Sequence, residues 1–416
     1  MRSKVLFYVT KENRKGLKKL YNWHAWVGFH LAILMFVVLF TGTVATISNE
    51  IDWLIFDELR ASEKPPGRSS KPTDDDWVEV YDAIKEAYPN GQPRFMLTMG
   101  EDYLTFRATI EDETIDNQFV QVDQWTYEVT GTMPRLTVQR FFRDFHRYLF
   151  MPALPGIIFV CAMAFALSIS IYTGIKTTKN WRKALFRVRF DKGGRIALSD
   201  LHKFLGLWGI WFSVLICVTG LWYFYEFGYR FSGSSVEPRG PEIERNVQHN
   251  DLAASIQNQP TEGIHLTSKE FEKAIRTAQK AHKNWHITSI FIPNDQTSPI
   301  QMRGVKNNPL LRDRAYRVFI HPESLEIIST FTPESIGVNA YLNEYADPLH
   351  FGTFGGIWTK ITWFIFGITL TGMSFTGVWM TWKRTKSTSL SRAQIGTLPI
   401  FVLAVIALYF YIGRFT

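Results

Sequence analysis

Cysteine is almost missing from this chain. Only Cys161 and Cys217 occur in 416 residues, each inside a long apolar run, which excludes a disulfide framework, a cysteine-built zinc site and an iron–sulfur cluster. No G-x-G-x-x-G follows a strand-like segment, so the usual dinucleotide fingerprint is absent. No Ser-His-Asp or similar nucleophile arrangement stands out in the polar segments. The apolar runs also lack the Asp and Glu residues that a coupled pump exposes within the bilayer, which counts against a transporter.

What the chain has in quantity is apolar and aromatic surface, with 15% aromatic residues and 14 Trp. Four runs, Ala25 to Ile47, Ile157 to Ile175, Leu205 to Tyr225 and Ile357 to Trp382, are long enough to cross hydrocarbon as helices. A fifth, Pro399 to Ile412, is marginal. The net charge of +8 is concentrated beside these runs: Arg2, Lys4, Lys11, Arg14, Lys15, Lys18 and Lys19 precede the first, "KTTKNWRKALFRVRFDKGGR" joins the second to the third, and "KRTK" follows the fourth. Such clusters mark cytoplasmic segments, so membrane topology accounts for the excess and no nucleic-acid partner is expected. The two long segments between spans then face outward.

Two internal matches run along the chain. At an offset of 178, His24 meets His202, Gly28 meets Gly206, and Thr41-Gly42 meets Thr219-Gly220. A second match puts His146 opposite His350 and, with one residue of slack, Thr173-Gly174 opposite Thr376-Gly377. The outer segments correspond too. "DDDWVEVYDAIKEAYPNG" and "TSKEFEKAIRTAQKAHKNW" read as capped amphipathic helices, and "FVQVDQWTYEVTGT" aligns with "YRVFIHPESLEIIST" as a hairpin. The expected fold is an α-helical membrane bundle of four core spans and a shorter fifth, built from two parallel repeats and carrying two small α+β outer domains.

The pattern "LHKFLGLWGIWFSVLICVTGLWYF", the returning "LHFGTFGG" and the two hairpin-bearing outer segments resemble the PepSY-associated transmembrane family, up to about Lys386. The resemblance implies two PepSY-like periplasmic domains and a bacterial inner-membrane location, and through iron-regulated members it implies a haem-dependent ferric-siderophore reductase. The expected organisation is a cytoplasmic N-terminus (1–24), first span (25–47), outer domain (48–145), histidine segment with second span (146–175), basic loop (176–201), third span (202–225), second outer domain (226–349), histidine segment with fourth span (350–382), loop (383–397) and fifth span (398–413).

Ten histidines divide by place. His249, His265, His282, His286 and His321 lie in outer segments, where only "HKNWH" offers an i, i+4 pair for a metal, with no third ligand. His24, His30, His146, His202 and His350 lie at membrane borders, where a lone histidine serves as an interfacial anchor. Recurrence at matching positions supports a second reading. His24 with His202, and His146 with His350, can face each other across the bundle as axial ligands of two haem b irons, with Arg143, Arg147 and Lys203 placed to meet propionates. His30, six residues past His24, is turned by about 240° and set about 9 Å along the axis, which suits a neighbouring hydrogen bond or a link to the second haem. The outer pair precedes its spans, separated from them by "MPALPG" and "FGTFGG", so it is expected at or above the membrane surface, far from the inner pair. The function expected from residues and resemblance together is electron transfer from a quinol or separate donor protein, across the lipid bilayer, to a ferric-siderophore substrate. The alternative is a non-enzymatic binding or regulatory membrane protein.

Overall fold

The structure, a computed structural model, describes residues 11–115, 118–237, 240–241, 243, 264–295, 297–385, 406–408 and 410–413. Residues 386–397 of the expected loop, most of the expected fifth span and His249 lie outside the described residues, and 383–385 continue the helix of the fourth span. The first elements are α1 (Lys11–His30), α2 (Ala32–Thr46), α3 (Ser48–Ile55), α4 (Asp74–Ala87), β1 (Gln92–Thr98), β2 (Phe106–Glu111), β3 (Gln118–Val122) and β4 (Val129–Pro134). There follow α5 (Val138–Tyr148), α6 (Ala153–Cys161), α7 (Met163–Thr177), α8 (Trp181–Ala184), α9 (Gly194–Trp208) and α10 (Ile210–Phe231). The last described are α11 (Ser268–Ala281), β5 (His286–Phe291), β6 (Ile300–Val305), β7 (Tyr316–Ile320), β8 (Ile327–Phe331), α12 (Val338–Phe351) and α13 (Gly356–Thr385).

Among the described residues, three helical stretches are long and apolar enough to cross a membrane: Ala153–Thr177, Ile210–Phe231 and Thr353–Met380. A fourth exists if the bent pair Arg14–His30 and Ile33–Thr46 is one span. The first span was expected to be continuous, but it bends by 67°. No proline marks the bend; its halves follow different neighbours, α1 packing on α7 and α2 on α13 and α5.

The polar segments fold as their patterns demand. Thr73 and Asp76 form a capping box on α4, and Thr267 and Glu270 form one on α11, satisfying backbone donors that a helix start leaves free. The element order helix then four strands occurs in both segments, as the paired hairpins suggested. They are not two separate sheets, however. β1 pairs antiparallel with β5, giving one eight-stranded sheet in the order β4-β3-β2-β1-β5-β6-β7-β8. The central strands β1 and β5 escaped the sequence reading because each carries a register shift, between Pro93 and Phe95 and between Ile287 and Ser289, that breaks the two-residue period, while β6 alternates over only six residues.

One row of directly paired residues, Val120, Ala108, Met96, Ile290, Met302 and Val318, runs across both segments at no more than 1% exposure. Upon it lie α4 and α11, joined by Tyr81 stacked on Phe271 at 4.1 Å. Trp77 Nε1 donates to Ile287 O at 3.2 Å, and Tyr81 Oη donates to Leu266 O at 2.7 Å. The roof is thus a single core that fixes one half of the bundle relative to the other. His282 and His286 do not share a helix face, since α11 ends at Ala281 and His286 opens β5.

A buried lysine ties roof to bundle: Lys360 Nζ lies 2.9 Å from Glu50 and 2.7 Å from Glu101, linking α13, α3 and the loop before β2. Because Trp77 bridges the two segments, Trp77→Ala should cost about 3–5 kcal/mol. Limited proteolysis of purified protein should show both outer segments opening together, not the first alone.

Candidate functional site

Four histidines converge as two facing pairs. His24 and His202 have ring centroids 6.3 Å apart at 77°, and His146 and His350 have theirs 6.1 Å apart at 33°. Two imidazoles bonded to one metal ion at about 2 Å per bond place their centroids roughly 6 Å apart. Each pair therefore has the ring spacing of two imidazoles that share one metal ion.

The elements set this spacing. On the side of the basic loops, α1 and α9 carry His24 and His202. On the sheet side, His146 sits in the last turn of α5 and His350 in the last turn of α12. Asp52 accepts from the amides of Val138 and Gln139 at 2.8 and 3.1 Å, anchoring the start of α5. Both helices end in left-handed residues, Leu149 and Phe150 after α5 and Gly352 after α12, so the break read from "MPALPG" and "FGTFGG" is present. The depth differs from expectation. His146 reaches the carbonyl of Val38 in α2 at 2.9 Å and His350 reaches Thr219 in α10 at 2.8 Å, so the pair lies beside the spans. The cause is that α5 and α12 run back along α2 and α10 instead of standing above them.

The hydrogen bonds fix the tautomer at each histidine. His24 Nδ1 lies 3.0 Å from Thr173 Oγ1, His202 Nδ1 3.0 Å from Thr376 Oγ1, and His350 Nδ1 2.8 Å from Thr219 Oγ1. Each threonine already donates its hydroxyl proton to its own helix, to Ile169, Met373 and Leu215 respectively. It can then only accept, as the Val38 carbonyl does from His146. All four Nδ1 atoms are N–H donors, and all four Nε2 atoms keep the lone pair a metal needs. Burial pushes His146 and His350 below the ordinary imidazole range, the latter to about 3, so both stay neutral. The Thr-Gly pairs, read from sequence only as alignment marks, are the seats of these histidines; their recurrence was the available signal. At Gly42 a Cβ would fall 2.7 Å from His146 Cε1, so only glycine fits there.

Each pair opens on a cavity, about 360 Å³ for His24 and His202 and about 210 Å³ for His146 and His350. The first is lined by Gly28, Gly174, Gly206 and Gly377, with Arg195 and Lys203 at its edge. The second meets Arg143, Arg147, Arg312 and Arg314. Met35, Leu39 and Leu167 line both, so the cavities are neighbours. Among the described residues no three or more His, Cys, Asp or Glu side chains gather to hold a metal. Each site offers two facing imidazole nitrogens beside a largely apolar cavity, a donor set that would suit a planar macrocycle better than a tetrahedral ion.

Of the other expected residues, Arg143 and Arg147 reach the sheet-side cavity, while Lys203 borders the loop-side cavity 3.7 Å from Asp200. His30 joins neither pair and lines neither cavity. It packs on Trp26 and Phe29, with centroids at 4.9 and 5.4 Å, beside the bend in the first span.

Sequence reading missed the ion network behind His350. Asp347 accepts from Tyr223 at 2.7 Å, from Arg312 at 2.9 Å and from Arg314 at 3.0 Å. Burial opposes its charge, yet Arg312 and Arg314 hold Asp347 below the usual carboxylate range. Glu344, fully buried on α12, is pushed up by burial to about 7 despite Arg312 and Arg317 nearby, with Glu237 adding to the rise. A carboxyl raised in the folded state binds more protons there than when unfolded, so its contribution to stability is whole below about pH 4.5 and is lost as pH climbs to about 7. Glu344→Gln should flatten the fall in thermal stability across that window.

A search of curated proteins finds no match to this sequence. The family model described as the PepSY-associated TM region matches residues 21–384, a stretch that holds all four paired histidines and the whole sheet. With the bundle, the sheet and the four seats inside that stretch, the chain belongs to the PepSY-associated transmembrane family.

Proposed function

We propose that this membrane protein is a dihaem oxidoreductase, built from two parallel repeats, that carries electrons across a bacterial inner membrane to reduce a ferric chelate of the siderophore class on the sheet side. One observation carries the reading: each histidine pair stands about 6 Å apart with both Nδ1 atoms engaged and both Nε2 lone pairs left for a metal. His24 and His202 would hold one haem b, and His146 and His350 the other, each supplying a one-electron ferric/ferrous couple when bound.

The chain's own residues do the rest. Thr173, Thr219, Thr376 and the Val38 carbonyl keep each imidazole in the ligating tautomer and stop its rotation. The apolar walls exclude water and keep the histidines neutral. Arg143 and Arg147 on the sheet side, with Lys203 on the other, suit the propionates. A quinol or a separate protein serves as donor, because no nucleotide fingerprint occurs in the chain. At the acceptor one electron converts Fe(III) to Fe(II), which hard oxygen ligands hold less firmly, so iron is released.

Dithionite-reduced purified protein should show bis-histidine haem b bands at two haems per chain. His146→Ala or His350→Ala should remove one haem, and His30→Ala should leave both. Colourless protein from porphyrin-supplied cells refutes the reading and returns the family's binding or regulatory role. Thr173→Val, Thr219→Val and Thr376→Val each remove an Nδ1 acceptor and should weaken haem retention about 10–100-fold at that site, measured by transfer to apomyoglobin.

A further inference from the structure

Residues directly paired across a sheet project from the same face. Next to the buried core row, the register gives a second: Gln121, Arg107, Leu97, Ser289, Arg303 and Arg317. Strand alternation puts it on the face away from α4 and α11. That face looks toward the bundle. Arg317 Nη2 lies 3.0 Å from Glu237 and 3.6 Å from Glu344 on α12, and Arg107 feels the charge of Asp52 on α3.

The middle of this row is small and open. Leu97 and Ser289 are only partly buried, and Phe291, adjoining them on the seam, is 41% exposed. Arg107 and Arg303 flank the opening three strand spacings apart, roughly 14 Å. Arg317 is taken up by its carboxylates, but the other donors are not. Nε and Nη2 of Arg107, Nε of Arg303 and Nε2 of Gln121 are buried without a hydrogen-bond partner among the described residues, while Arg303 Nη2 donates to Gln301 Oε1 at 2.7 Å. Buried cations with unmet donors are costly and call for an anion.

The positive lining continues toward the histidines. Arg314, close enough to repel Arg303, borders the sheet-side cavity together with Arg143 and Arg147. Of the nearby carboxylates, Asp347 is held by Arg312 and Arg314 and Asp144 by Arg140 and Tyr411 at 2.8 and 2.7 Å, while Glu226 in the same cavity lies 3.7 Å from Arg312.

We propose that the space between the underside of the sheet and the sheet-side cavity docks an anionic, oxygen-rich metal chelate, with Arg107 and Arg303 gripping it from either side of the Leu97–Ser289 seam. Planar guanidinium forks match carboxylate oxygens. The claim rests on the reductase reading only in treating this ligand as the electron acceptor, whose charge class it names.

The test is equilibrium binding of gallium(III) citrate, an anionic chelate that the protein cannot reduce, to the full chain in detergent. The unaltered protein should bind it with an affinity that falls as salt rises. Arg303→Gln should weaken binding roughly tenfold or more, and Arg107→Lys, which keeps the charge and loses the fork, should weaken it less. A neutral gallium(III) trihydroxamate should bind both proteins alike. Absence of citrate-chelate binding to the unaltered protein, or binding unchanged in Arg303→Gln, overturns the proposal. Because gallium binding needs no haem, colourless protein that binds the chelate through Arg303 would sink the reductase and spare this site. Haem-loaded Arg303→Gln with an unchanged KM for ferric citrate would sink the site and spare the reductase.

Discussion

The arrangement depends on one hydrogen bond made four times, from the Nδ1–H of a histidine to an oxygen on a neighbouring span. A free imidazole in an apolar slot could expose either nitrogen, rotate about χ1, or gain a proton. A threonine whose own proton is spent on the helix turn below it removes the first two freedoms, and burial removes the third. At His146 the acceptor is a backbone carbonyl, that of Val38, although Thr41 is adjacent. Thr41 donates its hydroxyl to Val37 and Val38 of its own helix, as the other three threonines do to theirs, but here the ring bonds the backbone. The result is the same tautomer reached by a different partner, so position matters more here than residue type.

Holding each histidine is not enough, because a pair works only if its two carriers keep a fixed separation. His146 and His350 come from the two halves of the chain, on short helices that are not themselves spans. The fused sheet supplies that constraint: the β1–β5 seam makes one rigid roof from two segments, and Lys360 pins it to α3 and α13 through Glu50 and Glu101. The halves are alike in plan and unlike in charge. By the match that sets His146 opposite His350, Arg143 stands where the other half has Asp347. Asp347 is neutralised by two arginines, whereas Arg143, lowered by burial to about 10 with Arg147 adding repulsion, has among the described residues one ion pair, to Asp144 at 4.0 Å. The sheet-side cavity is therefore electrically lopsided toward an anion.

Much of this was legible in the sequence. Hydropathy located the spans, the capping boxes located α4 and α11, and repetition singled out four of the ten histidines as facing pairs. What stayed hidden has physical reasons. A register shift in each of β1 and β5 breaks their alternation, so the union of two outer segments into one sheet left no local trace. The bend after His30 comes from two packing partners pulling one span in different directions, and no residue type marks it. The role of the Thr-Gly pairs was visible as recurrence but not as contact, since each pair seats a histidine from another helix.

The separation of the two sites changes most between sequence and structure. Helix spacing alone puts the outer pair above the membrane and the inner pair near the opposite face, a gap across which electron tunnelling would be slow. In the folded chain α5 and α12 turn back alongside α2 and α10, and this lowers the outer pair toward the middle of the bundle. Met35, Leu39 and Leu167 then belong to the walls of both cavities, so the two cavities adjoin at these side chains. These three residues are apolar and pack in one hydrophobic cluster of the bundle, so the boundary between the cavities is apolar. If the proposed haems occupy both cavities, this apolar boundary is what lies between them.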